Sequence, residues 1–161
     1  MNALKVFNQD HSIQWLHGKF KLFRGNQWIV IGKPFEKKKL YRGMRSMNHQ
    51  SMFIKRSLHD RYGLYHHHQK LAMDYDFLCR IAHEPFAFVP IPLVIFAPNG
   101  ISSVNYPQSL KEIREAHYKY FGKAPLIGFW QVRLRLLFFL LQTRMGCSVY
   151  KMMIALKLEN I

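Results

Sequence analysis

The chain has 161 residues, 49% of them hydrophobic and 15% aromatic, with 24 Lys and Arg against nine Asp and Glu. That length and apolar share suit one folded domain with a real core and exclude a disordered tail. The formal charge of +15 calls for an anionic partner, and nucleic acid, a phospholipid surface and a phosphorylated substrate are the three classes that fit.

In chain order, residues 1–10 read as the tail of a helix with Leu4, Val6 and Phe7 on its apolar side, and they lack the apolar core of a signal peptide. Two β-prone runs, residues 20–23 and 27–31, flank Arg24-Gly25-Asn26 and predict a hairpin. Residues 33–47 are basic, broken by Pro34 and Gly43, and read as a solvated loop or short helix. A short strand is expected over 51–54, then one helical turn capped by Ser57 and stopped at Gly63. After a polar loop at 66–70, Phe77, Leu78 and Ile81 take helical spacing. Asp74 and Asp76 then fall in the first turn of that helix, where the macrodipole favours their ionised forms.

Residues 86–96 read as a strand pair, or as one strand broken by Pro90 and Pro92 at a sheet edge. A turn at Pro98-Asn99-Gly100 follows. Ser109 with Glu112 predicts a capping box for a helix that runs to Phe121 and stops at Gly122. Residues 123–161 form a separate basic, apolar, helical segment. On a helical wheel Gln131, Arg135 and Gln142 share one narrow stripe, Arg133 and Arg144 the opposite one, and the rest is apolar. A membrane surface, ordinary packing or an oligomer contact would each suit the second apolar side. The arginines punctuate the apolar runs, so no segment is expected to span a bilayer.

Asp74-Tyr75-Asp76 has the form of a D-x-D metal motif, but such a pair usually follows a buried strand, and here a polar loop precedes it and a helix follows. A carboxylate at a helix mouth suits a general base, which must reach a substrate hydroxyl. A plain N-cap pair is the alternative for these residues taken alone. His49-Gln50 opens an otherwise apolar strand and either is satisfied inside the fold or lines a cleft. His66, His67 and His68 are adjacent and point apart, and Cys79 with His83 gives only two ligands, so no zinc site is expected. Cys79 and Cys147 read as reduced, packed thiols of a cytosolic setting. No P-loop, G-x-G-x-x-G or G-x-S-x-G is present.

Ordered along the chain are N-H-Q-S-M-F-I-K-R from Asn48, R-Y-G-L-Y from Arg61, A-M-D-Y-D-F-L-C-R from Ala72, F-V-P-I-P from Phe88 and N-G-I-S-S from Asn99. Together these resemble the second half of family 2 glycosyltransferases, bacterial enzymes of surface polysaccharide synthesis, with a pattern like that of the colanic-acid type. The resemblance covers about residues 1–121. It implies an α/β fold, the acceptor-side portion of a GT-A-like fold over residues 1–122, with short mixed strands, a hairpin and C-terminal helices.

By the same resemblance the protein is an inverting transferase that takes a sugar nucleotide donor and a glycan or lipid-linked acceptor; a cytoplasmic location is expected, with the inner face of the cytoplasmic membrane as the peripheral alternative. Asp74 takes the place of the catalytic base, with Asp76 as the second candidate, although Met73 stands where the family often has Glu. His49 and Gln50 match residues of the substrate cleft, Arg80 a helix arginine, and Gly100, Ile101 and Ser102 a loop that closes near the diphosphate. The family uses a divalent metal, Mg or Mn, held by a D-x-D half that precedes the matched region. That half has no counterpart here, so the 161 residues are expected to hold no metal and to be inactive alone. The rival class is a non-catalytic basic module for anionic membrane or nucleic acid.

Overall fold

The computed structural model describes residues 3–24, 26–97 and 105–141, with Thr143, Gly146, Ser148 and Met152. The chain divides into two compact units, Met1–Lys123 and Ala124–Ile161. The first is a mixed α/β unit built on a small mixed sheet.

Strand β1 (Trp15–Arg24) is the centre of that sheet. It pairs antiparallel with β2 (Gln27–Ile31), giving the expected hairpin, and its first residues pair antiparallel with β3 (Met52–Ile54). Its other edge takes β4 (Phe86–Ile95) in parallel. β1 begins five residues before the hairpin strand expected at Phe20, because Trp15, Leu16 and His17 are all fully buried. A strand covered on both faces shows no alternation to read.

Residues 86–95 are one strand with a dislocation. Gly18 is opposite Val89 and Lys19 opposite Pro92, so Pro90 and Ile91 fall in the register shift. Proline donates no ladder hydrogen bond, and a bulge on an outer strand accommodates it. Gly18 also matters here, since a Cβ on it would lie 2.7 Å from Leu93 Cδ1.

Helix α1 spans Ala3–Gln9, and α2 (Arg56–Tyr62) ends at Gly63, whose φ of 78° is left-handed as expected of a glycine stop. α2 starts one residue before Ser57 and has no side-chain cap, contrary to the expected Ser57 cap. The basic stretch is 3-10 helix over Lys37–Ser46, interrupted at Gly43, and packs Leu40 inward. α3 (Met73–Ile81) lies against α4 (Tyr106–Phe121), which stops at Gly122.

The expected capping box at Ser109 and Glu112 does not form. α4 starts a turn earlier, with Pro107 in its first turn, so Ser109 is interior and its N–H bonds to Asn105 O at 3.0 Å. Glu112 is buried and caps a different helix. Its Oε2 accepts from the N–H groups of Leu71 and Ala72 at 2.8 and 3.0 Å, just ahead of α3.

In the second unit, α5 (Pro125–Leu141) is the described helix. No helix among the described residues is long and apolar enough to cross a membrane.

Candidate active site

The first turn of α3 carries the two aspartates, and the helix sends them opposite ways. At about 100° per residue, positions two apart lie on nearly opposite sides. Asp76 points into the fold and is fully buried, whereas the Asp74 side chain is 41% exposed. Asp76 Oδ2 pairs with Arg80 Nη2 at 3.1 Å and with His66 Nδ1 at 2.8 Å. Arg80 reaches on to the carbonyls of Tyr62, Gly63 and Leu64 and stacks over the Phe77 ring. The pair thereby ties α3 to the turn after α2.

Asp74 faces His49. The distance from His49 Nε2 to Asp74 Oδ2 is 3.7 Å, an electrostatic contact outside hydrogen-bond range. Burial pushes the His49 imidazole below its usual value, and the Asp74 charge partly offsets this. His49 is therefore neutral at pH 7, with ring nitrogens free to serve as one donor and one acceptor.

The backbone beneath His49 is fixed by its neighbour Ser51. The Ser51 hydroxyl donates to Gly18 O at 2.6 Å and accepts from Gly18 N–H at 3.3 Å. Met52 then pairs with His17, which continues the sheet. A one-turn 3-10 segment, His49–Ser51, thus hangs from the central strand beside the mouth of α3. Gln50 lies within it and is half-buried.

Tyr65 completes the surroundings of Asp74, and the sequence reading of the site did not include it. Burial first, and the Asp74 charge second, push its phenol above the usual range. Its ring packs 5.3 Å from Phe77 and 5.5 Å from His59. The signal available was the aromatic in R-Y-G-L-Y, two residues past the glycine that turns the chain back toward α3.

Of the residues expected at the site, His49 and Asp74 face each other, Gln50 follows His49 in the 3-10 segment, and Asp76 and Arg80 lie beneath as an internal tie of α3. Gly100, Ile101 and Ser102 fall outside the described residues. Asp74 and Asp76 cannot share one divalent cation, because they diverge and Asp76 is already engaged by Arg80 and His66. Among the described residues no group of three His, Cys, Asp or Glu side chains is placed to hold a metal. The described thiol is no candidate nucleophile. Cys79 is buried, and burial pushes it up to about 12.

The geometry defines a mixed α/β unit that presents one solvent-facing carboxylate at a helix mouth, next to a neutral imidazole. Comparison with protein-family models, curated proteins and solved structures finds no match to the chain.

Proposed function

We propose that the chain is the acceptor-side portion of an inverting, sugar-nucleotide-dependent glycosyltransferase of bacterial surface polysaccharide synthesis, with Asp74 as its general base. The observation that supports this most is the division of labour within one helical turn. Asp76 is consumed by Arg80 and His66, while Asp74 is held at the surface against His49 with a free face toward solvent. The resemblance of about residues 1–121 to family 2 transferases, and the GT-A-like fold it implies, supply the reaction class.

In this reading an acceptor hydroxyl attacks the anomeric carbon of the donor sugar. Asp74 takes the hydroxyl proton as the new C–O bond forms. The bond from that carbon to the diphosphate oxygen breaks, and the nucleoside diphosphate leaves with the electron pair, inverting the configuration. Neutral His49 orients the acceptor by hydrogen bonding, and Tyr65 offers an aromatic face and a hydroxyl to the sugar. Gln50 lies at the same edge. The donor nucleotide is held outside these 161 residues, and no step runs through a metal bound by them. In this reading the reaction is cytoplasmic, with lipid-linked acceptors met at the inner face of the cytoplasmic membrane.

The test is an amide and imidazole NMR titration of the chain with oligosaccharide fragments of bacterial surface polysaccharides. Shifts are expected at His49, Tyr65 and Asp74. Saccharides that perturb only other surfaces, or an oligonucleotide that perturbs these same three residues more strongly, would remove the assignment.

A further inference from the structure

The second unit carries a surface that the transfer reaction does not use. Along α5, Leu126, Phe129, Val132, Leu136, Phe139 and Leu140 are all exposed. At 100° per residue these six fall within an arc of about 140°, an apolar stripe along four turns that Arg133 interrupts. Ile127, Gln131 and Leu134 are buried on the other side. An exposed Phe, Leu and Val stripe of this length is unfavourable in water and needs a cover.

The charge around the stripe selects the cover. Residues 124–161 carry Arg133, Arg135, Arg144, Lys151 and Lys157 against Glu159 alone. Arg133 lies inside the arc, its guanidinium 4.8 Å from the centroid of the Trp130 ring. Arg135 is exposed on the flank of the stripe. A second copy of the chain would bring the same positive charge against these arginines. A bilayer with anionic headgroups would accept the apolar side chains and pair its phosphates with the exposed Arg135 guanidinium.

We propose that α5 lies flat on an anionic phospholipid surface, with the stripe in the acyl boundary and the exposed Arg135 at the level of the phosphates. Trp130 sits beside Arg133 with its ring toward the interface, as amphipathic aromatics do. The helix rests on the membrane and does not cross it, in keeping with its length. The proposal draws on residues 124–161 alone, so its failure leaves the assignment of Asp74 standing, and the reverse holds too.

The test is co-sedimentation of the full chain with phosphatidylcholine vesicles, with and without roughly one phosphatidylglycerol in three, across a salt series. The chain should pellet with the anionic vesicles, and its affinity should fall at least about tenfold as salt rises from low to high. Phe129→Glu with Leu136→Glu should abolish pelleting, and Arg135→Glu should weaken it while leaving the melting temperature unchanged. Leu136→Ser alone reads the same loss should the double variant unfold. A chain that stays in solution with anionic vesicles at low salt would overturn the proposal. So would a double variant that pellets like the parent, or a parent that dimerises through the stripe and binds neither vesicle.

Discussion

Asp76 and Arg80 stand one turn apart on α3 and pair inside the fold, Oδ2 to Nη2 at 3.1 Å, with the carboxylate fully buried. Arg80 Nη1 and Nη2 also donate to the carbonyls of residues 62–64, so one guanidinium joins the helix that bears Asp74 to the turn that bears Tyr65. The acidic motif therefore has a structural member and a solvent-facing member. Removing one partner of a buried pair leaves the other charge uncompensated, which costs about 3–5 kcal/mol. Asp76→Ala should lower the urea midpoint by a corresponding amount, while Asp74→Ala should change stability by about 0.5 kcal/mol or less. Equal losses for the two variants would contradict the division.

Glu112 ties α4 to the head of α3 through two backbone N–H groups. Glu112→Ala leaves both donors unmet near a buried position, a loss of about 1–3 kcal/mol. Hydrogen exchange should show it first, as faster exchange at the Leu71 and Ala72 amides with β1 unaffected. Unchanged exchange at those two amides would show that the cap does not hold the site.

His17 makes the fold sensitive to acid. It is fully buried between Trp15, Phe86 and Phe88, and its Nε2 accepts from Phe35 N–H at 3.2 Å. Burial lowers its pKa from 6.5 to about 4. The unfolded chain therefore binds a proton that the folded chain refuses. Stability is full above pH 6.5 and declines as pH falls toward 4, by up to about 3 kcal/mol from this group. His49 and His117, also lowered by burial, act in the same direction. Urea midpoints at pH 7.5, 6 and 5 should fall in that order, and His17→Phe should flatten the trend. A midpoint constant over this range would contradict the burial of His17.

The contact between His49 and Asp74 has its own signature. Asp74 raises the His49 pKa against the larger lowering by burial. In Asp74→Asn the imidazole should titrate lower still, followed through its ring proton shifts. An unaltered His49 titration would mean that the two side chains do not meet in solution.

Much of the frame was legible from local chemistry. The hairpin, the stops at Gly63 and Gly122, and Asp74 in the first turn of α3 follow from turn residues, left-handed glycines and helical spacing, signals carried within a few residues. Long-range features were hidden. Trp15-Leu16-His17 gave no strand signal because the strand is buried on both faces, and Glu112 matched a capping pattern while serving the end of another helix. Asp76 and Arg80 have the i,i+4 spacing of an ion pair, a local sign. Spacing alone could not tell that the pair faces inward and leaves Asp74 as the solvent-facing carboxylate.

Sugar transfer itself tests the role of Asp74 most directly. The chain would be joined to the nucleotide-binding half of a family 2 transferase, and turnover compared with and without Asp74→Asn. A general base contributes about 10²–10⁴ in rate, so kcat should fall by that factor while the KM for the donor stays nearly constant. Equal turnover by both forms, or no transfer by either, would contradict the assignment.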